Sequence, residues 1–168
     1  MNDSDSDSDS KQVRGELKSL GAPIHGPALP VADIEQALVN GIVQAHSDAT
    51  LAKVLPLCLF QQREKIDLAR LIDLAEKAGE VRALGFFLDM TTEVSGDKRF
   101  RVWSTGCVIP AGHDKEYFFT STAKTDEGRK LAEMHTPELS KRWRLVVNMG
   151  LDAFQSCFSK FREVGRVY

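Results

Sequence analysis

IDLARLIDLAEKAGEVRALGFFLDMTTEVSGD, residues Ile66–Asp97, decides the fold class. Asp67 stands where a helix wants its N-cap. Leu68, Leu71, Ile72 and Ala75 follow at helical spacing, while Arg70, Glu76 and Lys77 fall on the other face. Gly79 terminates this helix, because glycine enters the left-handed conformation without a Cβ penalty. The pattern predicts a second helix over about residues 80–94. In it Arg82, Asp89 and Glu93 share one narrow polar strip, flanked by Val81, Leu84 and Leu88 on one side and Phe87, Met90 and Val94 on another. A helix that is apolar around most of its circumference packs on more than one side. Gly85 within it costs about 1 kcal/mol relative to alanine, which predicts a close helix contact there. Phe86 borders the polar strip and is expected to be exposed.

Outward from this pair the helical pattern continues. Asp33 with Gln36 forms a capping-box arrangement ahead of Ile34, Leu38, Ile42 and Ala45. Ser47 or Asp48 caps a further helix rich in leucine, with a boundary expected at Pro56 because proline lacks the backbone N–H. Residues 1–10 alternate serine and aspartate and read as a disordered acidic tail. Gly21–Pro30 reads as a Pro/Gly linker. Residues 1–30 are therefore assigned to tail and linker, and residues 31–168 to a single helical domain. Downstream, Phe100 and Val102 alternate with Arg99 and Arg101, and Tyr117–Phe119 follows the turn signal of Pro110–Asp114. This predicts a short β-hairpin over residues 99–122. Helices return at Asp126–Met134, after Thr136–Pro137 with Leu139, Trp143 and Val146 as a stripe, and after Asp152. The fold class is mainly α, a small helical bundle.

The 168 residues carry a formal charge of −2. Four of the 24 acidic residues lie in the first ten positions, so the rest of the chain sets 20 acidic against 22 basic residues, a formal +2. A near-neutral body offers no broad footprint for phosphate backbones, so nucleic acid is not the expected partner. No apolar run approaches the ~18 residues that span a bilayer, and a secretory pattern is not seen at the start. Three scattered cysteines fit free thiols, and a cytoplasmic location is expected.

No local motif fixes a nucleophile beside a base. Cys107, His113 and Asp114, which a hairpin would bring together, keep an enzyme of unrecognised type as an alternative, whereas the carboxylates Asp67 and Asp73, or Asp89 and Glu93, read as helix caps and solvated faces. HExxH, paired cysteines and nucleotide-cradling glycine loops are missing, so no metal, no cofactor and no small-molecule ligand is indicated. The helices around Gly79 invite a helix-turn-helix reading, with Ala75 and Gly79 suitably spaced. Yet the second helix offers Phe86, Phe87, Asp89, Met90 and Glu93, and carboxylates are repelled by phosphate. Lys98–Arg99–Arg101 and Lys141–Arg142–Arg144 keep a nucleic-acid-binding regulator as an alternative.

Asp67–Leu68, Arg70–Leu71, Leu74–Ala75, Gly79 and Arg82–Leu88 together resemble the C-terminal helical region of AbiE-type antitoxins, over roughly residues 48–97. The resemblance implies a non-catalytic protein that binds a nucleotidyltransferase toxin. That family's N-terminal winged helix has no counterpart here, where the acidic tail and linker stand instead. The leading expectation is a non-catalytic protein-interaction module, antitoxin-like, acting on a protein partner or on a second copy of itself. Phe86, Asp89, Met90 and Trp143 are its expected partner-binding residues.

Overall fold

A computed structural model describes residues 3–109, 112–120 and 125–165. Its elements are α1 (Asp3–Ser19), α2 (Ile34–Ala45), α3 (Ala49–Gln61), α4 (Leu68–Lys77), α5 (Val81–Ser95), α6 (Arg99–Ser104), β1 (Glu116–Tyr117), α7 (Asp126–Met134), a 3₁₀ segment (Glu138–Trp143), β2 (Leu145–Val146) and α8 (Leu151–Gly165). The fold is mainly helical, with one two-stranded parallel pairing among the described residues.

Three of the expected caps form, whereas Thr136 does not cap the 3₁₀ segment and Asp152 lies inside the first turn of α8. The carboxylates of Asp33, Asp48 and Asp67 accept from the backbone N–H groups of Gln36, Thr50 and Arg70. Each satisfies a donor that the first helical turn leaves without a partner. Gly79 adopts φ +72°, as a helix terminator there requires.

α5 is the central element. It touches α2, α3, α4, α6, α8, the 3₁₀ segment and β2. Residues 83–92 are all buried. An edge-to-face chain of rings runs through it: Phe118 to Phe87 at 5.6 Å between centroids, Phe87 to Phe86 at 5.1 Å, and Phe86 to Phe154 at 6.1 Å. Full burial of each such ring stabilises the fold by about 1.5–3 kcal/mol.

Five expectations are corrected. First, the acidic tail is helical from Asp3 onward, with Met1 and Asn2 outside the described residues. Acidic groups near a helix N-terminus interact favourably with the exposed N–H groups, and Asp7 pairs with Lys11 one turn on. Second, the core starts upstream of residue 31. Leu17, Leu20, Ala22 and Ile24 are buried, and the linker folds back so that the Leu29 amide donates to the Gly15 carbonyl at 2.9 Å. Third, α3 runs through Pro56. An internal proline costs about 3 kcal/mol, and packing offsets it. Val54, Leu55, Leu57, Cys58 and Leu59 are all buried, so the helix is held by its neighbours rather than by its own ladder.

Fourth, the hairpin over residues 99–122 does not form among the described residues, and residues 110, 111, 121 and 122 of that span lie outside them. Residues 99–104 are helical instead. Phe100 and Ser104, four apart, face inward, while Val102 is 67% exposed. A strand would have put Phe100 and Val102 on the same face. β1 pairs in parallel with β2, setting Glu116 opposite Leu145 and Tyr117 opposite Val146. Fifth, the expected helical stripe of Leu139, Trp143 and Val146 is broken. Arg144 takes a left-handed conformation (φ 50°), which ends the 3₁₀ segment and starts β2.

Candidate functional site

The four expected partner-binding residues are in the core. Phe86, Asp89, Met90 and Trp143 are each no more than 3% exposed. Presenting any of them to a partner would require opening the fold. The cause lies in the polar strip of α5, where later segments of the chain dock. Arg82 donates to the Asp114 carbonyl at 3.0 Å and pairs with Glu116 at 3.3 Å. Asp89 accepts from Ser104 Oγ at 2.6 Å, Trp143 Nε1 at 2.9 Å and Arg142 at 3.2 Å. Glu93 stays at the surface, paired with Arg101 at 2.9 Å. A buried carboxylate with three donors is a satisfied anchor for α6 and the 3₁₀ segment.

A second polar cluster joins the end of α2, the start of α5 and the residue after β1. The His46 ring lies 4.2 Å from the Phe118 ring, donates from Nδ1 to the Phe118 carbonyl, and meets the Glu80 carboxylate through Nε2 at 2.9 Å. Burial opposes the charged imidazolium, but the bonds to Glu80 and to the Phe118 carbonyl outweigh it and raise the His46 pKa above its usual value. With an acceptor at each nitrogen, the imidazolium is the form that fits. No local pattern announces this pairing, since 34 residues separate His46 from Glu80.

Cys107, His113 and Asp114 do not make a nucleophilic site. Cys107 is buried, and burial pushes its thiol up to about 12, with the Asp89 charge acting in the same direction. A nucleophilic cysteine needs the opposite shift. His113 and Asp114 are exposed, and their backbone carbonyls accept from Arg144 and Arg82. Cys58 is also buried and pushed up to about 12. Among the described residues, no three His, Cys, Asp or Glu side chains gather to hold a metal ion. No described helix is long and apolar enough to cross a membrane.

The two basic clusters are largely engaged within the molecule. Arg99 pairs with Glu64 and Asp97, Arg101 with Glu93, Lys141 with Glu138, and Arg142 with Asp89 while lying over the Trp143 ring.

α7 presents a different surface. Only Ala132 of its residues is buried. Leu131 and Met134, one turn apart, are 53% and 77% exposed. The sequence predicts a helix over Asp126–Met134 but does not mark which of its faces is exposed.

No family model, curated protein or solved structure matches this chain.

Proposed function

We propose that the chain is a non-catalytic protein-interaction module that docks on a partner protein through the exposed edge of α7. The observation that carries this reading is the pair Leu131 and Met134, displayed together on a helix with one buried residue. Apolar anchors spaced three apart are what a helix lays into a partner's groove. The methionine side chain also adapts to irregular pockets. The likeness of residues 67–88 to AbiE-type antitoxins supports a nucleotidyltransferase-type toxin as the first partner class to test. Neutralisation would then be steric, with the module covering the partner's working surface.

The test is co-expression of the full chain with nucleotidyltransferase-like products of neighbouring reading frames, followed by affinity isolation and size-exclusion chromatography. The expected result is a stoichiometric complex with the wild type. Leu131→Asp combined with Met134→Asp should weaken it by about 30-fold or more, since lost anchors typically cost above ~2 kcal/mol. The circular dichroism of the variant should be unchanged. No complex with the wild type, or equal affinity in the variant, overturns the proposal.

A further inference from the structure

A groove of about 680 Å³ lies between the C-terminal end of α1, the N-terminal half of α3 and α8. That volume falls in the range of small-ligand sites, about 300–1,000 Å³. Pro23, Ala153, Cys157 and Phe161 contribute apolar surface, and Lys18, Lys53 and Lys160 stand around it. Lys18 donates to the Gly26 carbonyl. Neither Lys53 nor Lys160 has an ion-pair partner among the described residues, in contrast to most of the arginines on the surface. An apolar trough with ammonium groups at its edge is complementary to a molecule with an apolar body and an anionic head.

We infer that this groove binds an amphipathic anion, a single alkyl chain ending in a carboxylate, with the chain over Pro23 and Phe161 and the head at Lys53 and Lys160. The site is separate from α7 and does not depend on its role. It is invisible in the sequence because the three lysines come from helices far apart in the chain, and each alone is an ordinary surface cation.

Cys157 provides the readout. It is half-buried in the groove, whereas Cys58 and Cys107 are buried in the core. Alkylation of the folded protein at alkaline pH should mark Cys157 first. Dodecanoate, kept below its micellar concentration, is expected to slow that alkylation at least 10-fold at saturation. Dodecyltrimethylammonium at the same concentration should protect less than 2-fold. Lys53→Glu combined with Lys160→Glu should abolish protection by dodecanoate while leaving the circular dichroism and the unliganded melting temperature within a few degrees of the wild type. Equal protection by both amphiphiles, undiminished protection in the double variant, or no protection by dodecanoate would overturn the inference. A rise in melting temperature with dodecanoate, absent in the double variant, is the second measurement expected to agree.

Discussion

The indole ring of Trp143 occupies the space that a side chain at position 85 would need. A Cβ built on Gly85 would lie closer than 3.0 Å to three carbons of that ring. The glycine is therefore a contact surface, and α5 tolerates its poor helix propensity because the ring fills the gap. Gly85→Ala should gain about 1 kcal/mol of propensity and lose about 1–3 kcal/mol to overpacking. A net loss is expected by urea denaturation followed through tryptophan fluorescence. A more stable Gly85→Ala protein would show that the ring does not sit there.

Asp89 is the polar half of the same lock. Asp89→Leu removes the acceptor shared by Ser104, Trp143 and Arg142 and leaves the buried Trp143 Nε1–H without a partner, while Ser104 keeps the Arg101 carbonyl. The expected loss is about 1–3 kcal/mol. Asp89→Asn keeps part of the acceptor capacity and should fall between Asp89→Leu and the wild type. Equilibrium unfolding of the three proteins checks the order.

His46 makes stability depend on pH. Its folded pKa is raised above the unfolded value of 6.5, so protonation favours the folded state. The contribution is fully present below about pH 6.5 and is lost as pH rises through the higher folded value. His46→Gln should flatten that segment of the profile, measured as the urea midpoint against pH. An unchanged slope in the variant would remove His46 as its source.

The beginning of the chain divides into a part the core can spare and a part it needs. Asp7, Ser8 and Asp9 are exposed and Ser10 is partly so, and deleting residues 2–10 should change stability by less than about 1 kcal/mol. Deleting residues 2–24 also removes Leu17, Leu20, Ala22 and Ile24 from the core. Burial of each leucine alone stabilises by about 1.5–3 kcal/mol, against a total of about 5–15 kcal/mol for a typical domain. The shorter protein is expected to be unfolded by circular dichroism and by loss of a cooperative melt.

Local chemistry was legible in the sequence. Asp33, Asp48, Asp67 and Gly79 marked helix ends because capping depends on a few neighbouring residues. Gly85 signalled a close approach, although its neighbour proved to be the ring of Trp143. The engagement of polar residues was not legible. Arg82 and Asp89 look like part of a solvent face until Ser104, Glu116 and Trp143 are brought against them. For Asp89 those partners stand 15 and 54 residues away. The surfaces that carry the proposals failed to show for a related reason. Exposure of Leu131 and Met134, and convergence of Lys18, Lys53 and Lys160, are properties of packing between helices, which periodicity along one helix does not encode.

The position of Trp143 has a consequence for how the protein is made. Gly85 and Trp143 are separated by 58 residues in the chain. At synthesis rates of about 5–20 residues per second, roughly 3–12 seconds pass between the addition of one and of the other. During that interval Gly85 lacks the ring that later covers it and Asp89 lacks the indole N–H that later donates to it. The contact between the indole ring and α5 can therefore form only late in synthesis, after the helix that receives it has been made.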